Sequence, residues 1–332
     1  MQDSSVATAD LGRERQLRRL PLPRRLVRIF GRAVAVAFMV SLLSYIFLRL
    51  VPGDPVTALL GENYTPQAAA ALRAQLGIQG GFFEQVGLYY WRILHGNLGV
   101  SLSTGGSVSR EIFTAMPVTL SVMACTTVVT VLVSLPLAVF SARHPNSWLS
   151  RFLVVAFSVL VSSPSFFLGQ IALLIFALHL HMAPVAGIEP GFGGALQSLW
   201  LPAIVVGAGI IPVVTRVLSM AISDTMTEEF VEMAIVRGVQ RTRFTWRYLL
   251  RPSIGPTISV LGYIVGSMFA STVIVELIFN FNGIGQLLIN AINDRDYPVV
   301  QGIALISGVI VVIIVTIAEF LNAVIDPRTS EQ

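Results

Sequence analysis

The chain has 332 residues, of which 54% are hydrophobic and 12% charged, with a formal net charge of +4. An ordinary soluble domain carries roughly a quarter charged residues, and apolar runs as long as these would leave too little polar surface to cover them in water. All 22 basic residues are arginine, and without lysine the chain lacks the phosphate-gripping residue of an ordinary P-loop ATPase.

Residues 1–30 form a polar extension with Arg13, Arg15, Arg18, Arg19, Arg24, Arg25 and Arg28. Such a segment suits anionic lipid headgroups. It has neither the folded surface nor the interleaved aromatics that nucleic acid would require, so no nucleic-acid partner is expected. No small-residue cleavage site follows the first apolar run, which therefore reads as an uncleaved anchor. That run is Gly31–Val51, and five more follow: Pro117–Ala142, Phe152–Leu180, Leu199–Met220, Ile258–Phe281 and Val299–Ile325. A helix needs about 20 apolar residues to cross a bilayer, and in lipid the backbone must satisfy itself, so all six runs are predicted helices. Arg143, Arg151, Arg216, Arg237, Arg241, Arg243, Arg247, Arg251 and Arg328 fall on the same side as the N-terminal arginines. The opposite side holds Arg73, Arg92, Arg110 and Arg295. The positive-inside rule then places both termini, including the tail 326–332, in the cytoplasm.

The external segment 52–116 opens on Pro52-Gly53-Asp54-Pro55, which stops the first helix because proline disfavours α conformation in the residue before it. Thr65 is a predicted N-cap with Pro66 at the first helical position, and Gly77 a predicted terminator. Phe82–Leu94 reads as a second amphipathic helix whose Tyr89, Tyr90 and Trp91 suit a membrane interface. A scaffold or docking surface fits this segment better than an enzyme. His181–Ser198, rich in Gly and Pro, reads as a loop. In 280–298, Asn282-Gly283 signals a turn before a short helix over Gly285–Asn293.

Residue patterns for catalysis are missing: the sequence contains neither HExxH nor GxSxG. The single Cys125 excludes an intrachain disulfide and a cysteine metal site. His179 and His181 lack a nearby carboxylate or thiol, and no metal or other cofactor is expected on this chain. Two charged residues near the ends of apolar runs, Glu276 and Glu319, are functional candidates by default, with snorkelling or a local ion pair as the plainer alternative. No chain of mid-membrane carboxylates supports a proton-driven carrier. Gly262 and Gly266 have the spacing that permits close helix approach, whether within the chain or between subunits. Ser267, Ser271, Thr272 and Glu276 are candidate pore-lining positions, although one sequence leaves the rotation of their helix open.

The most distinctive polar stretch is 224–251, between the fourth and fifth runs. Asp224, Glu228, Glu229 and Glu232 come first, then Ala234 and Val236, then Gly238, then arginines. Acids at a helix N-terminus and bases towards a C-terminus both suit the helix dipole. The stretch therefore predicts a short helix, a left-handed stop at Gly238, and a second helix from near Thr242 into the membrane. A short protruding helix can seat in a partner's groove.

The residues Glu229, Phe230, Ala234, Gly238, Trp246, Arg247, Leu250 and Arg251 resemble the cytoplasmic coupling loop of ABC-importer permeases. The likeness is to the dipeptide and oligopeptide permease B subunits, from which the chain departs at Met233 and in having Arg237 where lysine is frequent. Leu48–Pro55, Glu276–Gly302 and Ile325–Arg328 resemble the same family in the same order. The resemblance implies an all-α polytopic membrane protein of type I ABC-importer permease architecture, with six transmembrane helices and a core over 117–325. It implies a non-catalytic pore subunit in a bacterial inner membrane. Its implied partners are a homologous second permease, two cytoplasmic ATPase subunits that hold ATP and Mg, an external substrate-binding protein, membrane lipid and a peptide substrate. Glu228, Glu229, Phe230, Glu232, Ala234, Arg237, Gly238, Arg241, Trp246 and Arg247 are then the expected ATPase-coupling residues. The same assembly importing nickel chelates, oligosaccharides or glutathione-like solutes is the nearest alternative. A stand-alone channel or ion-driven carrier is a more distant one.

Overall fold

The computed structural model describes residues 65–76 and 81–325, together with 31, 34–36, 38–43 and 46. About half of the first predicted span, the Pro52–Pro55 stop, Gly77 and both termini lie outside the described residues. Beyond residue 64, ten helices carry the described chain: α1 Pro66–Leu76, α2 Phe82–Leu94, α3 Val108–Arg143, α4 Trp148–Ser162, α5 Ser165–His179, α6 Gly191–Met226, α7 Glu229–Val236, α8 Arg241–Ile278, α9 Ile284–Asn293 and α10 Tyr297–Ile325. Among the described residues β pairing is limited to the isolated bridge Val100–Ser107. At the start of α1 the Thr65 hydroxyl accepts from the Ala68 N–H at 3.1 Å, the cap its sequence predicts.

Four helices (α3, α6, α8 and α10) are long and apolar enough to cross a membrane. At 36 residues each, α3 and α6 are about 54 Å long, well beyond the roughly 30 Å of a bilayer's hydrocarbon. Pro117 and Pro136 sit inside α3, and Pro202 and Pro212 inside α6. Membrane helices tolerate such breaks where neighbours satisfy the freed backbone groups. The face of α3 turned inward carries small polar residues (Thr119, Thr126, Thr130, Ser134) among apolar ones, and the Ser134 hydroxyl donates to the Ile211 carbonyl of α6 at 3.3 Å. Small residues let helix backbones approach in lipid. The same principle settles Gly262 and Gly266: both are buried on α8 against Val311, Val315 and Ala318 of α10, so their spacing serves packing within the chain.

The structure corrects two sequence expectations. The third predicted span, Phe152–Leu180, is not one straight helix: α4 and α5 meet at 104°. Pro164 cannot donate a backbone N–H and biases Ser163 towards extended geometry. Ser163 accordingly has φ −84° and ψ 128°, and Pro164 φ −60° and ψ 135°. Secondly, Gly191–Ser198, read as loop, forms the first turns of α6. The Ser198 hydroxyl donates to the Gly194 carbonyl at 2.8 Å and accepts from the Glu189 N–H at 3.0 Å, which ties the glycine-rich start to the chain before it.

At the end of the bundle away from 224–251, α9 and the start of α10 pack on α3 through Val108, Ile112, Ile284, Val299 and Ile303. Asp296, almost fully buried, accepts from the Ser101 hydroxyl at 2.5 Å, the Ser103 hydroxyl at 3.0 Å, and the N–H groups of Leu102 and Ser103 at 3.0 and 3.2 Å. Its other oxygen lies 3.4 Å from the Val299 N–H at the start of α10. Asp296→Asn keeps the shape but removes the charge that strengthens these bonds, so it should lower stability by about 1–2 kcal/mol. A reduced melting temperature of the purified protein, with faster proteolysis at 101–103, is the expected result.

Candidate functional site

The 224–251 loop is built from cap chemistry at both ends of a short helix. After α6 the chain turns at Thr227, whose hydroxyl and N–H both donate to the Asp224 carbonyl, at 2.7 and 3.2 Å. Glu228 is extended, and α7 follows with Glu229 and Glu232 in its first turn, where a negative charge suits the dipole. Gly238 closes it at φ +64°. The Gly238 N–H donates to Ile235 at 2.9 Å and the Val239 N–H to Ala234 at 3.2 Å. This is the two-bond Schellman pattern, in which the left-handed residue is normally glycine.

The eight residues of α7 divide into two faces. Val231 and Ala234 are buried, and Val231 joins a cluster with Ala138 and Ala142 of α3, Leu218 and Ile222 of α6, and Leu249 and Leu250 of α8. The short helix thus shares a buried cluster with the ends of three long ones. Its other face shows Phe230, Met233, Ile235 and Val236 beside exposed Glu228, Glu229 and Glu232, and Val236 is 83% exposed. A cluster of large apolar side chains outside the core, rimmed by charge, is the mark of an interaction surface. Arg237, Arg241, Arg243, Arg247 and Arg251 are all exposed as well, which gives the loop an acidic start and a basic finish.

Beyond Gly238 the first ten residues of α8 run from Arg241–Phe244 into a π-helical turn over Thr245–Leu250. Such turns are rare and cluster at functional sites. The Arg143 guanidinium lies over the Phe244 ring at 5.6 Å, a cation–π contact between α3 and α8. One turn later the Ser253 hydroxyl sits 2.8 Å from that of Thr225 on α6.

Of the residues expected in the coupling loop, Glu228, Glu229, Phe230, Glu232, Arg237, Gly238, Arg241, Trp246 and Arg247 are exposed, while Ala234 faces inward. Met233, Ile235 and Val236 were not among the expected coupling residues; their apolar character off the buried phase of α7 was the available signal. Thr225 and Ser253 were missed because nothing local pairs residues 28 positions apart.

The four candidate pore residues separate. Ser267 is exposed on a stripe of α8 that includes Pro256, Tyr263, Ala270 and Ile274, and Ser271 is half-buried beside it. Thr272 faces inward, its hydroxyl donating to the Met268 carbonyl at 2.9 Å. Glu276 is fully buried. Among the described residues it forms no ion pair: its carboxylate accepts from the Thr119 hydroxyl at 2.6 Å and from the N–H groups of Gly285 and Gln286 at 2.7 and 3.2 Å. It therefore caps the N-terminus of α9, whose Ile284 N–H donates to the Thr119 oxygen at 2.8 Å.

A family model described as "Binding-protein-dependent transport system inner membrane component" matches residues 134–331. One described as the N-terminal part of such membrane components matches residues 22–124. Among curated relatives, a putative peptide transport system permease protein of Brucella abortus is 30% identical over 301 residues, covering 90% of this chain and 96% of its own. The nickel import system permease protein NikB of Staphylococcus aureus is 31% identical over 298 residues, covering 89% of this chain and 88% of its own.

Proposed function

This chain belongs to the family of binding-protein-dependent transport system inner membrane components, and on that premise we propose that it forms half of a peptide pore driven through α7. Membership makes it a multi-pass permease subunit of a binding-protein-dependent ABC importer in the bacterial inner membrane. In our reading the second half is a homologous permease, and two cytoplasmic ATPase subunits bind ATP and Mg. A binding protein on the opposite face delivers di- or oligopeptides. The observation that carries the coupling role is the seating of α7: apolar and acidic outside, wedged inside against the ends of α3, α6 and α8.

Mechanistically, the permease pair is a two-state system, inward-facing or outward-facing, and a ligand shifts it only by its difference in affinity for the two states. Nucleotide binding draws the ATPase subunits together; α7 moves with the surface it docks on. Through Val231 that movement reaches the cluster where three spans end. The chain itself performs no chemistry, and hydrolysis belongs to its partners.

Similarity to a permease named for peptide transport supports the cargo, while similarity to one named for nickel import favours a metal chelate as the second reading. The complete assembly in proteoliposomes distinguishes them. We expect ATP-dependent accumulation of labelled di- and oligopeptides, unaffected by excess nickel chelate. Accumulation of nickel chelate without peptide uptake would replace the first reading with the second.

A further inference from the structure

We propose that the Thr225–Ser253 hydroxyl pair is the positioning element that makes α6 and α8 answer a displacement of α7 as one body, an inference that rests on α7 being the coupling helix. The contacts of α7 with the spans are apolar, and apolar contact is non-directional. Val231 can press on the cluster that holds Ile222 and Leu249, yet such contacts do not by themselves fix the register of α6 against α8. Hydrogen bonds are directional. Ser253 Oγ lies 2.8 Å from Thr225 Oγ1 and 3.1 Å from the Ala221 carbonyl, both on α6.

The backbone of α8 explains why a tie is needed here. The π turn Thr245–Leu250 ends two residues before Pro252, which brings no N–H to the helix ladder. The helix is weakly braced by its own bonds just where α7 presses on Leu249 and Leu250. Ser253 is the next inward-facing polar side chain, and it also reaches the Leu249 carbonyl at 2.7 Å.

The pair can also open without orphaning a donor. Each hydroxyl has one proton and a carbonyl acceptor four residues back in its own helix: Ala221 for Thr225 at 2.8 Å, Leu249 for Ser253 at 2.7 Å. When the bridge breaks, neither buried donor is orphaned, so the penalty of an unsatisfied group is avoided. Ser253→Ala likewise leaves the Thr225 hydroxyl bonded to Ala221. The variant should fold and assemble, losing register rather than stability.

The test uses the complete transporter with Cys125 replaced by serine and spin labels at two pairs of exposed positions. Met220 and Tyr263 report α6 against α8; Met233 and Leu132 report α7 against α3. Distances are measured without nucleotide and with ATP plus vanadate. With native Thr225 and Ser253, the Met233–Leu132 distance should shift on trapping while Met220–Tyr263 stays a single population. In Ser253→Ala and in Thr225→Val, a second Met220–Tyr263 population should appear only in the trapped state, with the melting temperature unchanged. Thr225→Ser should behave as the unsubstituted protein. A Met220–Tyr263 distance that stays single in both variants, while Met233–Leu132 still shifts, would overturn the clamp and leave the coupling helix standing. No shift at Met233–Leu132 in the unsubstituted protein would remove the coupling role itself, and the clamp with it.

Discussion

Replacing Gly238 with valine or isoleucine should abolish ATP-driven uptake while the transporter still assembles and still hydrolyses ATP. Gly238 holds φ +64°, and an added Cβ there would meet no atom within 4 Å. Crowding is therefore not the objection; backbone conformation is. A left-handed residue with a side chain costs roughly 1–2 kcal/mol, and β-branching makes the conformation a genuine outlier. At 2 kcal/mol the local equilibrium moves about 30-fold, against a helix that has only eight residues to hold its shape. The Schellman bonds from Gly238 and Val239 loosen, and α7 no longer presents a fixed face. The series is diagnostic: Asn, which tolerates this region, should retain most uptake, Ala less, and Val least. Equal uptake across Asn, Ala and Val would contradict a role for the shape of α7.

Glu276→Ala should be the most destabilising single change at the opposite end of the bundle. It deprives three donors of their acceptor: the Thr119 hydroxyl and the N–H groups of Gly285 and Gln286. Each orphaned buried donor costs about 1–3 kcal/mol, so the loss amounts to several kcal/mol and frees α9 from α3 and α8. Gly285 allows the approach, because a Cβ there would lie 2.8 Å from a Glu276 oxygen. Glu276→Gln keeps an oxygen for the two N–H groups and should fall between the two. The check is the melting temperature and the yield of assembled complex. An alanine variant as stable as the parent would show that the cap contributes little.

These two sites differ in how far the sequence reveals them. Around Gly238 the information is local: acids, a short apolar stretch, a glycine and arginines follow the rules of helix ends, and α7 stops where they say. Glu276 depends on Thr119 being brought across 157 positions, and no periodicity carries that pairing. The doubled glycines of Asn282-Gly283-Ile284-Gly285 were the visible half of the motif, read as a turn rather than as room for a buried carboxylate. Proline shows the limit most plainly. Pro117, Pro136, Pro202, Pro212 and Pro256 all lie within continuous helices, whereas Pro164 ends one and turns the chain by 104°. The local signal is the same in each case, and the outcome is decided by whether neighbouring helices can satisfy the freed backbone. Hydropathy alone could not separate Phe152–Leu180 from a straight span.

The most direct measurement places a photo-crosslinking amino acid at Val236, the most exposed apolar side chain of α7, in the complete assembly within native membranes, and identifies what it captures. An ATPase subunit captured in stoichiometric yield, with the yield altered by ATP plus vanadate, is the predicted result. Capture of lipid or of the second permease alone, from an assembly that contains the ATPase subunits, would contradict the docking of α7 on which the account depends.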